Sequence, residues 1–95
     1  MNIKDLLPQD KAVSTAVLLR SEQATVTVIQ ILEGEQLKEH VTKVPALLIC
    51  IIGEVVFENE KGMKESLLSG DYVSIAPMIK HWLNAITNSQ LILFK

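Results

Sequence analysis

Residues Gly34–Gly53, with the sequence GEQLKEHVTKVPALLICIIG, decide the fold. A glycine stands at each end of this stretch, where a reversing chain needs a positive φ. Pro45 separates two segments of strand length and lacks the backbone donor that a central strand requires. The second segment, Ala46–Ile52, is apolar throughout, and it is far shorter than the roughly 18 residues of a membrane helix. The stretch predicts two β-strands joined by a turn.

The same pattern extends over most of the chain. Gly62 and Gly70 also fall between short runs of Val, Ile, Leu and Thr, and Asn59–Gly62 predicts a hairpin turn. The predicted strands are Ser14–Arg20, Ala24–Glu33, Leu37–Lys43, Ala46–Ile52, Val55–Asn59, Met63–Leu68, Tyr72–Ala76, Trp82–Ile86 and Gln90–Phe94. Short strands with frequent turns indicate an all-β sandwich or barrel.

Composition limits the classes of function. The 95 residues are enough for one domain, residues 1–95, and the net charge is −2. A net charge of −2 provides no positively charged surface for nucleic acid. No segment is long and apolar enough to span a membrane. One cysteine fits a reducing cytoplasm. We expect no secretory signal, because charged residues and Pro8 interrupt the first ten positions.

The N-terminal segment, residues 1–11, has two interpretations. Ile3, Leu6 and Leu7 could form one apolar helical turn that Pro8 ends. They could equally form an arm that lies across the barrel or onto a neighbouring subunit. Either role is structural.

Two segments carry a family resemblance. The first is the series Gly34, His40, Thr42, Ala46 and Gly53, with five, one, three and six residues between successive members. The second is Gly70–Trp82, GDYVSIAPMIKHW, in which Gly-Asp and an apolar run lead to a proline and His81. Together they resemble the two motifs of the cupin superfamily, and the whole chain resembles the minimal one-domain bacterial cupins. The resemblance implies an antiparallel double-stranded β-helix, the cupin or jelly-roll barrel.

The motifs depart from the cupin pattern at the metal site. Cupins generally bind a transition metal with three histidines and one carboxylate that point into the barrel. Only His40 and His81 remain here, while Thr42 and Ala46 replace the other two ligands. In the second motif, Met78 replaces the usual glycine. A stable site usually needs at least three protein ligands, so we expect a divalent transition metal, if one binds at all, to be weakly held.

Cys50 has two interpretations. Strand alternation places it on the same face as Ala46, Leu48 and Ile52, so its thiolate could join the histidines as a third ligand. Packing as a small buried hydrophobe is the stronger interpretation. The predicted ligand pocket comprises His40, Thr42, Cys50 and His81, with a carboxylate or hydroxylated molecule as its ligand.

The opposite side of Ala46–Ile52 is also apolar, through Leu47, Ile49 and Ile51. Leu37, Val41 and Trp82 are expected on outward positions of neighbouring strands. Such a surface usually marks an interface, so we expect a homodimer.

Three function classes remain open. The first is a barrel that binds a small molecule, with no catalytic residue. The second is a metal-dependent enzyme of the isomerase, dioxygenase or decarboxylase type that uses His40 and His81. The third is a purely structural module, which would leave the two histidines unexplained. The sequence contains neither a nucleophile elbow nor a phosphate-binding loop.

Overall fold

The computed structural model describes the whole chain, Met1–Lys95, and contains nine strands. The strands are β1 Val13–Arg20, β2 Thr25–Ile31, β3 Gln36–His40, β4 Ala46–Ile52, β5 Val55–Asn59, β6 Lys64–Leu67, β7 Tyr72–Ile75, β8 His81–Ala85 and β9 Ser89–Phe94. Every predicted strand is present, and the all-β prediction is confirmed. The predicted hairpin turn is also present, because the Asn59 side chain accepts hydrogen bonds from the backbone of Lys61 and Met63. Gly62 takes a φ of 87° in that turn.

The strands form two antiparallel sheets that face each other. The five-stranded sheet has the order β1-β2-β9-β4-β7, and the four-stranded sheet has the order β3-β8-β5-β6. Alternate side chains of both sheets point between them and form one core of 13 buried residues. Phe57, Leu48, Leu83 and Leu91 are among its most deeply buried members. This arrangement is a double-stranded barrel whose interior is packed with apolar side chains.

A bulge in β3 corrects the predicted orientation of Leu37. Leu37 pairs with Leu83 and His40 pairs with His81, so β3 advances three residues while β8 advances two. The extra residue turns both Leu37 and His40 towards the interior, whereas regular alternation places them on opposite faces. The prediction that Leu37 faces outward is therefore wrong. β3 also ends at His40, three residues before the predicted Lys43.

A second irregularity lies at the end of β4. Cys50 pairs with Leu91 but Ile52 pairs with Gln90, so one residue of β4 is extra. Ile52 is consequently 59% exposed, and it does not share the interior face with Cys50 as alternation predicts. Leu47 and Ile49 do face outward.

The predicted continuous outward surface is divided between the two sheets. β4 lies in the five-stranded sheet, whereas Trp82 lies on β8 in the four-stranded sheet. The indole Nε1 of Trp82 donates to Glu58 at 3.3 Å, and Asn84 donates to the same carboxylate oxygen at 3.2 Å. The outward surface around Trp82 is therefore partly polar.

The N-terminal segment contains one turn of 3₁₀ helix, Ile3–Asp5, and lies across the outer face of the five-stranded sheet. Leu7 is buried against Val28 and Ile92. Two buried glutamines hold this arm, because Gln30 donates to the Pro8 carbonyl at 2.6 Å and Gln90 donates to the Ile3 carbonyl at 3.3 Å. The chain has no helix with the length and apolarity to cross a membrane.

The turn before β8 carries backbone strain. Met78 has a φ of 64° and is the one non-glycine residue with a positive φ. It follows Pro77, and a proline followed by a positive φ is the sequence of a type II turn, which favours glycine at the second position. Met78 occupies the motif position at which cupins usually have glycine. Its backbone N–H donates to the Thr42 carbonyl at 2.8 Å, which connects the two motifs.

Candidate functional site: the paired histidines and a groove at the barrel rim

His40 and His81 meet at one end of the four-stranded sheet. His40 ends β3, His81 begins the neighbouring β8, and the two form a direct cross-strand pair. Their Nε2 atoms are 2.9 Å apart, and the ring planes are inclined by 63°. His81 is only 2% exposed and stacks on Phe57, whereas His40 is partly exposed. The two motif histidines thus form one unit at the mouth of the barrel.

The backbone fixes the tautomer of each ring. Nδ1 of His40 lies 2.9 Å from the Lys38 carbonyl, and Nδ1 of His81 lies 3.1 Å from the Ile79 carbonyl. A carbonyl only accepts hydrogen bonds, so each Nδ1 carries the proton and donates it. Both Nε2 atoms are then unprotonated in the neutral rings. Their close contact is attractive only when an additional proton or another electrophile lies between them.

The distance between the two ring centroids shows how the Nε2 lone pairs are oriented relative to each other. A collinear hydrogen bond between Nε2 atoms would separate the ring centroids by about 5 Å. The observed centroid separation is 4.1 Å. The two Nε2 lone pairs therefore do not point head-on at each other.

The pair resists taking up two protons. Burial lowers the pKa of His81, and the hydrogen bond to the Ile79 carbonyl opposes this shift. The charges of His40 and Lys95 lower the pKa of His81 further.

The space beside the pair is almost filled. A cavity of about 10 Å³ is lined by the two histidines and by Ile29, Leu37, Leu48, Ile75, Leu83 and Leu93. That volume accommodates about one water molecule. The interior beside the pair therefore has no chamber large enough for a ligand of several atoms.

Thr42 and Cys50 lie apart from this cavity. Thr42 is 3% exposed, and its Oγ1 has no hydrogen-bond partner, but it does not line the cavity. Cys50 lies two residues beyond Leu48, towards the other end of β4, and its thiol donates to the carbonyls of Ile52 and Gly53. Burial, followed by the charge of Asp71, raises the pKa of the Cys50 thiol. Two of the four predicted pocket residues are brought together, and the other two are not.

The donor set does not fit a tightly held metal ion. No group of three or more His, Cys, Asp or Glu side chains is arranged to hold a metal. Cys50 is a buried thiol, and a thiol is a far poorer ligand than a thiolate. Ala46 is buried against β7 opposite Ile75 and offers no ligand atom. The two imidazoles bring no negative charge to offset a dication.

The structure also contains a groove that sequence reasoning missed. It has a volume of about 560 Å³ and lies at the rim of the five-stranded sheet. Its lining residues are Ala24, Pro45, Ala46, Leu47, Ser74, Ile75, Ala76, Phe94 and Lys95. Ile75 lines both the groove and the histidine cavity, so it separates the two spaces. The lining comes from four strand ends that are distant in sequence, and no local pattern identifies such a set.

Comparison with solved structures agrees with this architecture. A cupin superfamily protein from Desulfitobacterium hafniense superposes with a TM-score of 0.83 at 16% identity, over 94% of this chain and 80% of that chain. A cupin-2 domain protein from Shewanella frigidimarina gives 0.80 at 14% identity, over 100% and 92% of the two chains. KdgF from Halomonas sp. gives 0.79 at 18% identity, over 93% and 82%. No protein-family model and no curated protein sequence matches the chain.

These likenesses define the class of protein. The chain folds into a β-barrel with the cupin fold. At such low identities the comparisons establish the fold alone, and one barrel hosts many chemistries. The function must therefore be argued from the site.

Proposed function

We propose that this barrel binds a small molecule at its mouth, through a carboxylate or hydroxyl group held by the His40–His81 pair. The observation that carries the proposal is the fixed tautomer of both rings. Each Nδ1 faces a backbone carbonyl, so only the two Nε2 atoms are free to interact, and they lie 2.9 Å apart. A pair that holds an additional proton presents a localised positive charge, which favours an anionic or hydroxylated ligand.

The small cavity restricts how such a ligand binds. Only the anchoring group can approach the pair, because the surrounding space is about 10 Å³. The rest of the molecule would remain at the barrel mouth, on the side where His40 is partly exposed. Binding would separate the two Nε2 atoms and replace their mutual contact with contacts to the ligand.

Titration with small acids and polyols, followed by the ring-proton NMR signals of the histidines, tests the proposal. Acetate, propionate, benzoate and glycerol are suitable probes. We expect at least one to shift both histidines, and we expect His40→Gln to weaken its binding about tenfold or more. Ser66→Ala, at an exposed position on β6, is the control and should bind as the unaltered protein does.

His81→Ala provides a second variant, with circular dichroism to verify its fold, since His81 is buried. Unchanged binding in both His40→Gln and His81→Ala contradicts the proposal. Absence of histidine shifts with every probe also contradicts it.

A second candidate is a metal-dependent enzyme of the isomerase, dioxygenase or decarboxylase type. One observation favours it for an octahedral ion: two imidazole nitrogens, each about 2.05 Å from the ion and about 90° apart, would be about 2.9 Å from each other, whereas a tetrahedral site would separate them by about 3.3 Å. The remaining ligands would have to come from water or from the substrate, because Thr42 and Ala46 stand in the other two motif positions. Elemental analysis of untagged protein tests this. Stoichiometric metal supports the enzyme, and sub-stoichiometric metal that a mild chelator removes contradicts it.

We also propose a homodimer that forms through the outer face of the five-stranded sheet. The arm covers Ile92, but Ile49, Ile51 and Tyr72 remain at least partly exposed beyond it. Tyr72 is directly opposite Ile49 on β7, so these side chains are adjacent. Sedimentation equilibrium at micromolar concentration should give twice the chain mass, and a monomer mass would contradict the dimer.

A further inference from the structure

The edge strand β1 presents backbone groups that have no partner. β1 is the outermost strand of the five-stranded sheet, so only one of its sides is paired, with β2. Just before β1, the Leu32 N–H donates to the Ala12 carbonyl at 3.0 Å, and the register continues without a shift through Val13–Val17. In an antiparallel ladder, alternate residues exchange backbone hydrogen bonds with the partner strand. Ser14 and Ala16 therefore bond to β2, whereas the backbone groups of residues 13, 15 and 17 point away from it and make no hydrogen bond in the turns or loops.

β1 also lacks the features that usually protect a sheet edge. Natural edge strands are commonly short, or carry charges or a proline. β1 has eight residues, with no proline and no charge before Arg20. By contrast, β3 and β6 each contain a lysine and a glutamate, and β7 has only four residues. Val17 and Leu19 are 48% and 59% exposed, so β1 is the edge best suited to receive another strand.

We propose that β1 pairs with β1 of a second copy of this chain, antiparallel and centred on Thr15. This two-fold register places Val13 opposite Val17 of the copy, so all three unpaired positions exchange hydrogen bonds. The exposed side chain of Val17 then packs on Val13 of the copy, and the two Thr15 side chains are adjacent. The contact is separate from the proposed dimer surface around Tyr72, because β1 and β7 lie at opposite edges of the sheet.

The charges at the two ends of β1 favour the same partner and the same register. Arg20 lies five residues after Thr15, and Asp10 lies five residues before it. Pairing centred on Thr15 therefore brings Arg20 close to Asp10 of the copy, and the two-fold axis repeats this ion pair. Neither residue forms a salt bridge within its own chain, and Glu22 in the turn after β1 does not pair with Arg20. The strand is thus complementary to itself in backbone, side chains and charge.

Cross-linking between single cysteines tests the register. A contact of one strand is small and is expected to be weak, so a short bismaleimide is used to trap it. Thr15→Cys should cross-link efficiently to its copy, because the two Cα atoms would lie about 5.5 Å apart. Leu19→Cys, at an exposed position on the same strand, is the matched control and should not cross-link, because its two copies would be about 27 Å apart. Cys50 is 0% exposed and does not compete.

Further changes, each added to Thr15→Cys, test the backbone bonds and the charges. Val17→Pro removes an N–H that faces the free edge, so it should abolish the cross-link, whereas Val17→Ala keeps that N–H and should retain most of it. Circular dichroism verifies that the proline variant is folded. Asp10→Arg should lower the yield about threefold or more, and adding Arg20→Asp should restore it.

Three results would each overturn the inference. The first is cross-linking of Leu19→Cys as efficient as that of Thr15→Cys, which would indicate random collision. The second is a cross-link that survives Val17→Pro in the folded protein, which would exclude pairing through the backbone. The third is a loss of yield in Asp10→Arg that Arg20→Asp does not restore, which would exclude this register.

Discussion

Replacing Gly53 with alanine tests how closely β9 approaches the end of β4, its neighbour in the five-stranded sheet. Gly53 has a φ of 91°, a conformation that L side chains rarely adopt. A Cβ at this position would overlap the backbone oxygen of Asn88 and the Oγ of Ser89, and would lie 2.8 Å from the Ser89 Cα. Ser89 is fixed by hydrogen bonds to the carbonyls of Glu54 and Thr87. The clash therefore falls mainly on ordered backbone, which has little freedom to move.

The expected loss of stability is the sum of two effects. The positive φ costs a residue with a Cβ about 1–2 kcal/mol. Overpacking against fixed backbone adds about 1–3 kcal/mol. Gly53→Ala should therefore lower the free energy of unfolding by about 2–5 kcal/mol, a large part of the roughly 5–15 kcal/mol available to a small domain.

Gly62→Ala is the matched control for this substitution. Gly62 has a nearly identical φ of 87°, but a Cβ added there would have no other atom within 4 Å. Gly62→Ala should therefore lower the free energy of unfolding only by the cost of the positive φ, about 1–2 kcal/mol. Urea denaturation of both variants, with unchanged m-values, measures the difference. If Gly53→Ala is no more destabilising than Gly62→Ala, the result contradicts a close contact between Gly53 and the backbone of Asn88 and Ser89.

Individual side chains give four further predictions. Met78→Gly should raise the free energy of unfolding by about 0.5–1 kcal/mol in urea denaturation, because it relieves the positive φ at an exposed position; a loss of stability would contradict the strain. The pKa of His81 is lower in the folded chain than in the unfolded chain, so the unfolded chain binds more protons as the pH falls. The free energy of unfolding should therefore be highest above the unfolded-state pKa of about 6.5 and should fall as the pH drops below it. Denaturation of His81→Phe at a series of pH values should show most of this pH dependence lost. Cys50 should not react with a thiol reagent at neutral pH until denaturant is added, because it is 0% exposed and its pKa is raised. Leu7→Ala should cost about 2–3 kcal/mol and Leu6→Ala less than about 0.5 kcal/mol, and equal small losses would mean that the arm does not pack on its own sheet.

The sequence predicted the strands well because both sheets use short apolar segments bounded by turn residues. It failed at the two bulges, in β3 and at the end of β4. The alternation rule assumes that successive residues of a strand point to opposite faces of the sheet. An extra residue at a bulge therefore reverses the predicted face of every residue that follows it on that strand. This explains why Leu37 faces inward and Ile52 faces outward, against expectation. Nothing in either segment marks the position of the extra residue.

The candidate site was predictable only in part, for a different reason. Alternation along a strand indicates which face a side chain occupies, but not how far along the barrel it lies. Cys50 shares the interior face with Leu48, yet it is two residues further from the histidines. His40 and His81 meet because the motif positions put them at paired ends of neighbouring strands. The groove required the ends of four separate segments to be located, which only the tertiary structure provides.

The histidine pair itself separates the two candidate functions by the sign of their pH dependence. A metal ion binds the unprotonated Nε2 atoms, so protons compete with it and its affinity falls as the pH falls. In the proposed binding protein a carboxylate would bind the protonated pair, so its affinity would rise over the same range. The burial that lowers the pKa of His81 makes the second proton costly, and a bound carboxylate would offset that cost. Opposite slopes of affinity against pH, over about pH 5 to 8, therefore distinguish a binding protein from a metal-dependent enzyme with the same two residues.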